Sequence, residues 1–301
     1  MDKKTSEKLK RHMGMKKKNT IGNIVTYIIL VIISIVWIFP FVCLVLESFK
    51  CDINQNGALV TWQTGNIIPQ RFGFDNYINL FTKTNFPKWL FNTFIVGAAV
   101  AILQTIFVLS MSYTLSRLRF KGRRLLMNVM LILGMFPGFL SLLLTYNMLS
   151  MFELTGKNSI PGLILVYVAS SGMGYYVSKG YFDTIPKSLD EAARVDGATR
   201  FQVFYKIIMP MAKPIVIYTI LTAFMAPWGD FMTARYISHN SSVGMNVAVG
   251  LQNLISTPSG MSANYTMFCA GGVIVAIPIT ILFMCLQKYY VEGVTGGAVK
   301  G

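Results

Sequence analysis

Six stretches of this sequence run for about twenty residues each with almost no charge, and such a stretch is long enough to cross the hydrocarbon core of a bilayer as a helix. They fall at 24–46, 89–113, 125–149, 159–178, 214–234 and 266–287, and the one charged residue inside them is Asp230, near the end of the fifth. Pro137, Gly138, Pro161, Pro227 and Pro278 lie within the runs. Lipid-embedded helices carry such residues freely, because neighbouring helices satisfy the freed backbone groups. The expected fold is therefore an all-α polytopic membrane protein with six transmembrane helices, and not a barrel. Composition agrees: 53% of the 301 residues are hydrophobic and only 13% are charged.

The cations set an orientation. Lys and Arg number eight before the first run, five in 114–124, six in 179–213 and two after the last run. The alternate loops hold four in 47–88, one in 150–158 and one in 235–265. By the positive-inside rule both termini are cytoplasmic. The formal net charge of +15 is then a topology signal and not a nucleic-acid footprint, so no nucleic-acid partner is expected. The chain divides into a basic N-terminal segment, 1–23, a six-helix domain, 24–287, and a C-terminal tail, 288–301. The first run is too long for a cleaved signal peptide and no small-x-small site follows it, so it reads as a retained helix.

Between the fourth and fifth runs lies a polar stretch, "KSLDEAARVDGATRFQVFYKIIMP", at 187–210. Ser188 and Glu191 have the spacing of a capping box, Gly197 suits a left-handed stop, and Thr199 and Gln202 form a second box. Two short helices joined at a glycine are predicted. On the second, Phe201, Phe204, Ile207 and Ile208 recur at helical spacing and should share one apolar face. A helix lying on a membrane surface favours basic residues on its polar side, whereas this one opens with Asp190, Glu191 and Asp196.

These residues resemble a known family. Glu191, Ala192 and Ala193, then Asp196, Gly197 and Ala198, then Phe204, Ile207, Pro210 and Pro214 are similar to the EAA motif of permease subunits in binding-protein-dependent ABC importers. Met209 departs from the usual leucine, a volume-conserving change. The resemblance implies that the segment, between helices 4 and 5, is a coupling helix docking on a separate ATP-hydrolysing subunit. It implies four kinds of neighbour: a second, non-identical permease subunit, two copies of the ATP-binding subunit, an extracytoplasmic solute-binding protein, and membrane lipid. The closing "QKYYVEGVTGGAVKG" and the "RFGFDNYINLF" at 71–81 look like the corresponding segments of maltose-type carbohydrate permeases. That likeness implies a sugar as solute, and a tail whose Gly293, Gly296, Gly297 and Lys300 reach the ATPase subunits. It also implies a loop at 235–265 that contacts the binding protein, where Asn246, Gln252 and Asn253 are the polar candidates.

No phosphate-binding G-x-x-x-x-G-K-[ST], catalytic triad or HExxH occurs in the sequence, so ATP and Mg are expected on partner subunits, with no cofactor, catalytic or metal site here. Cys43, Cys51, Cys269 and Cys285 lack metal-ligand spacing and read as packing residues, and His12 and His239 as solvated ones. Near-neutral helix centres suit a neutral, hydroxyl-rich solute. Candidate pathway groups are Asn92, Gln104, Tyr113, Tyr167, Ser170, Ser171, Tyr175, Tyr218 and Thr222, each of which could equally serve helix–helix hydrogen bonding or an interfacial tyrosine belt. Two alternatives stay open, a non-sugar importer of the same class and an ion-coupled transporter. Asp230, beside Trp228, reads as structural more readily than as a proton relay.

Overall fold

The computed structural model describes residues 3–53, 60–61, 65–135, 138–170, 174–239 and 241–295. Every element named among them is a helix, supplemented by isolated β-bridging between Lys50 and Phe72. The first run lies in α1 (Lys3–Ser48), which continues without a break across the expected boundary at residue 23. Past the Lys50–Phe72 bridge, α2 (Asp75–Lys83) leads into α3 (Phe86–Arg117), which carries the second run. The third is shared by α4 (Arg123–Gly134) and α5 (Gly138–Met151), the fourth by α6 (Ser159–Ala169) and α7 (Gly174–Thr184). The polar stretch forms α8 (Ser188–Val195), α9 (Arg200–Gln202), a π-helical turn Val203–Ile208 and α10 (Met209–Met211). The fifth run is divided between α11 (Lys213–Gly229) and α12 (Met232–Ser238); α13 (Val247–Leu254) follows, and α14 (Pro258–Thr295) holds the sixth.

Among the described residues three helices are long and apolar enough to cross a bilayer unaided, and two bent pairs raise that to five. The other runs are interrupted for local reasons. The third leaves the helix at Met135, the C-cap of α4, just after Gly134, a residue that weakens a helix; positions 136 and 137 lie outside the described residues. The fifth stops early because Asp230 leaves the helix with φ −80° and ψ 103°. Its Oδ1 then accepts the N–H of Thr233 at 3.0 Å, so the residues after it start α12 instead of extending α11.

Helix α3 is the axis of the bundle, packed by α6, α7, α11 and α13. Its Phe86, Trp89, Val96 and Val100 are buried with Leu163, Trp228, Val247 and Val249 in the main core. Gly250 lets α13 approach the face of Trp89: a Cβ there would overlap the indole ring. Helix α1 is different. Every residue from 23 to 42 is exposed, Trp37 at 73%, and its principal packing partner is α14. An all-round apolar helix left so uncovered is suited to hydrocarbon, not water.

Its C-terminal foot is fixed by a buried polar knot. Asn76 Nδ2 donates to the carbonyls of Ser48 (3.1 Å) and Lys50 (2.8 Å), and its Oδ1 accepts from the Thr266 hydroxyl of α14 at 2.9 Å. Lys50, wholly buried, lies 3.5 Å from Glu47 and donates to the Asn66 carbonyl at 2.6 Å. Asn76→Ala would strand two carbonyls and a hydroxyl at a site with no solvent access. The expected cost is about 1–3 kcal/mol, read as a fall of several degrees in the thermal midpoint of the purified protein; an unchanged midpoint contradicts this account of the knot.

Candidate functional site

The segment at 187–210 folds as two short helices around a left-handed glycine, as expected, but its first cap differs. Ser188 is already helical, the preceding Lys187 has φ −69° and ψ −22°, and no side chain caps α8, so the Ser188–Glu191 box does not form. Asp190 and Glu191 instead sit in the first turn, where they favour the positive end of the helix dipole. At the other end Gly197 takes φ +82°. Ala198 N–H bonds to Ala193 O at 2.9 Å and Gly197 N–H to Arg194 O at 3.1 Å, which are both bonds of a Schellman stop. The second box forms in full: Thr199 Oγ1 accepts from Gln202 N–H at 3.2 Å and Gln202 Oε1 from Thr199 N–H at 2.8 Å.

The predicted apolar stripe is redistributed by the π-helical turn, whose wider winding breaks the 3.6-residue period. Val203 and Ile208 are buried, Phe204 and Ile207 half-buried, but Phe201 is 73% exposed and stacks on Tyr205, 66% exposed. Val195 is exposed to 87%. Glu191, Ala192, Asp196, Gly197 and Pro210 are exposed as well, Ala198 is half-buried, and Ala193 is turned inward. The outward face therefore sets small and apolar side chains and two exposed aromatic rings among charges of both signs, Glu191 and Asp196 beside Arg194, Arg200 and Lys206. Val195 and Tyr205 were absent from the sequence-based candidates, since single apolar residues in a polar stretch carry no periodic signal.

Beneath this face lies the end of α3. Tyr113 packs its ring against Phe182 (6.3 Å) and Phe204 (4.7 Å), Ser116 donates to Asp183 at 2.6 Å, and Arg117 Nη2 donates to Ile185 O at 2.8 Å. Tyr113, a candidate for the solute pathway, is thus a support for the polar segment. Burial works against the Asp183 carboxylate, yet hydrogen bonds from Lys179 and Ser116 hold it below its ordinary value. Those ties persist at neutral pH and are lost as pH falls through the lowered value. Burial pushes the Asp190 carboxyl up, opposed by the Arg117 guanidinium.

At the opposite end of α3 the amide candidates are consumed internally. Asn92 Nδ2 donates to the carbonyls of Val243 and Met245, both at 2.9 Å. Asn246 is 1% exposed: Nδ2 donates to Pro227 O and Asp230 O, and Oδ1 accepts Val249 N–H as the cap of α13. It cannot offer hydrogen bonds to an external protein. Asn253 accepts from Arg235 Nη1 at 2.5 Å, leaving half-buried Gln252 as the one of the three whose side chain makes no hydrogen bond among the described residues. Tyr167 donates to Asp230 Oδ2 at 2.9 Å, which gives that carboxylate the structural role expected of it.

Ser170 and Tyr175 line a cavity of 790 Å³ between α3, α4, α5, α6 and α7, together with Ser110, Thr114, Ser141 and Thr145, hydroxyls that sequence reading passed over. Gln104 is half-buried on α3. Tyr218, half-buried, packs toward the polar segment, and exposed Thr222 bonds back to its carbonyl at 2.9 Å. Ser171, Gly296, Gly297 and Lys300 lie outside the described residues. Gly293, expected in an extended tail, is within α14.

A family model described as binding-protein-dependent transport system inner membrane component matches residues 106–296. A maltodextrin transport system permease protein of Streptococcus pneumoniae, MalD, is 34% identical over 96% of this chain and 99% of its own. Its counterpart MdxG of Bacillus subtilis is 33% identical over 96% and 100%. A crystal structure of a bacterial ABC transporter importing the acidic polysaccharide alginate shares the fold, with a TM-score of 0.73 at 21% identity over 91% of this chain and 98% of that one. Thr199→Ala removes a complete capping box; amide exchange at Gln202 should quicken about fivefold, for a local loss of about 1 kcal/mol, with exchange in α3 unchanged.

Proposed function

The chain belongs to the binding-protein-dependent transport system inner membrane components, and from that premise we propose that it is one permease subunit of an ATP-driven sugar importer, coupled to its ATPase through 187–210. It is a multi-pass protein of the cell membrane. The observation that carries the coupling assignment is the exposed face of that segment: Ala192, Val195, Gly197 and Phe201 present apolar surface on a short, internally capped helix-turn-helix held firmly from below. A soluble face with that much exposed apolar surface fits a docking site.

The maltose-type relatives favour a neutral oligosaccharide as solute. Six crossings, with both termini and 187–210 on the cytoplasmic side, accord with the Lys and Arg distribution. On this reading the third run spans as the broken α4–α5 pair. A second, non-identical permease chain, two ATPase subunits carrying ATP and Mg, and an external binding protein complete the importer. The tail beyond α14, with Gly296, Gly297 and Lys300, would reach the ATPase pair, and Gln252 would meet the binding protein. Ser170 and Tyr175 with their neighbouring hydroxyls are the best placed of the pathway candidates. The ion-coupled alternative loses ground because Asp230 is engaged by Tyr167 and the Thr233 amide.

In this mechanism ATP binding closes the ATPase pair, the docked segments move with it, and the bundle exchanges inward-open for outward-open. Gly197→Leu tests the assignment. Space around the Gly197 Cβ position is open within the chain, so the substitution acts through the left-handed turn, at about 1–2 kcal/mol, and through the docking face. Binding-protein-stimulated ATP hydrolysis should be lost in the purified complex while membrane insertion stays normal; full stimulation removes the assignment. A photo-cross-linker at Gln252 should capture the binding protein in the ATP-bound complex.

A further inference from the structure

Arg117 belongs neither to the 187–210 segment nor to any motif read from the sequence, yet it is where α3 meets that segment. Its side chain is 4% exposed, Nη2 donates to Ile185 O at 2.8 Å, and Nε lies 3.3 Å from Asp190 Oδ2. With Ser116 on Asp183 and Tyr113 against Phe204, the last turns of α3 touch the end of α7, α8 and the π-helical turn together. The covalent route out of the segment is less direct: Arg200–Met211 meets Lys213–Gly229 at a bend of 84°. A direct tie runs instead through the buried guanidinium, which is hydrogen-bonded to Ile185 O and ion-paired with Asp190.

We propose that Arg117 is a positioning residue for energy coupling, whose guanidinium locks α3 to the ATPase-docking segment so that the two move as one body. The proposal rests on the reading of 187–210 as that segment. Charge makes the lock specific. A guanidinium so enclosed needs a counter-charge, and Asp190 supplies it in a cavity of 410 Å³ that Arg119, Lys187, Arg194 and Arg200 also line. Among those residues Glu191 is the other carboxylate, and it is exposed. Removing Asp190 leaves the Arg117 guanidinium enclosed among like charges, and removing Arg117 takes from Asp190 its ion pair with α3. Because α6, α7, α11 and α13 all pack on α3, displacement of α3 is displacement of the bundle.

The test is a pair of spin labels in the complex assembled with its ATPase, at Ile106→Cys on the exposed side of α3 and Ser188→Cys at the start of α8, with Cys43 and Cys285 replaced by Ser. The unmodified pair should give one narrow distance, unchanged between nucleotide-free and ATP-bound states. Arg117→Gln should broaden it and let it shift with ATP by about 5 Å, the scale of a one-turn slip. Asp190→Asn, nearly isosteric and on the more exposed partner, decides by the same criterion where Arg117→Gln does not assemble. A distance that shifts with ATP in the unmodified pair, or stays narrow in both single variants, overturns the proposal. Loss of stimulation in Gly197→Leu alongside such a result would confine the failure to Arg117; full stimulation in Gly197→Leu would instead unseat the docking reading.

Discussion

A backbone amide or carbonyl freed from a helix inside a membrane has no water to turn to, and leaving it unpaired costs several kcal/mol. This chain interrupts its helices repeatedly, so its architecture depends on how the freed groups are paired. Three asparagines do much of that work in the same way, each spending both amide protons on two carbonyls. Asn76 holds Ser48 and Lys50, Asn92 holds Val243 and Met245, and Asn246 holds Pro227 and Asp230. Asparagine suits the task because one short, planar group offers two donors and an acceptor. The stitches join segments remote in sequence, which lets broken helices form one bundle.

Helix α3 is the element that connects these stitches to the docking face. At one end Asn92 and Thr93 secure the loop before α13, Thr93 accepting the Val247 N–H at 2.8 Å; at the other, Tyr113, Ser116 and Arg117 grip the 187–210 segment. Its 32 residues span about 48 Å, the thickness of a bilayer with its headgroups. Without an internal proline after its first turn, it is a continuous rod with polar attachments at both tips and an apolar middle.

Much of this was legible in sequence, for identifiable reasons. Long uncharged runs announce membrane helices because burial in lipid is a bulk property, and Gly197 and the Thr199–Gln202 box announce themselves because caps depend on neighbours in the chain. Interruptions were harder: a run such as 214–234 looks uniform, while the end of α11 depends on whether Asp230 finds Thr233, Tyr167 and Asn246 in space. Site chemistry was harder still. Asn246 and Tyr113 have the right polarity to meet a sugar or a protein, but polarity is equally what a buried stitch or a ring support requires, and only packing separates the two. The π-helical turn defeated the periodicity argument for Phe201, since a pattern read at 3.6 residues per turn fails wherever the backbone winds more widely.

The knot at the foot of α1 has a consequence for biogenesis. Asn76 accepts from Thr266, 190 residues further along the chain, and α1 packs chiefly on α14. A nascent chain that has threaded α1 and α3 into the bilayer therefore still lacks the partner that seals the foot of α1. The knot closes only once α14 has been made, so α1 leaves the ribosome long before it is locked. A chain cut short before α14 would present an unpaired Asn76 carboxamide oxygen and the uncovered apolar stretch of α1, residues 23–42, to whatever proteases and chaperones survey the membrane.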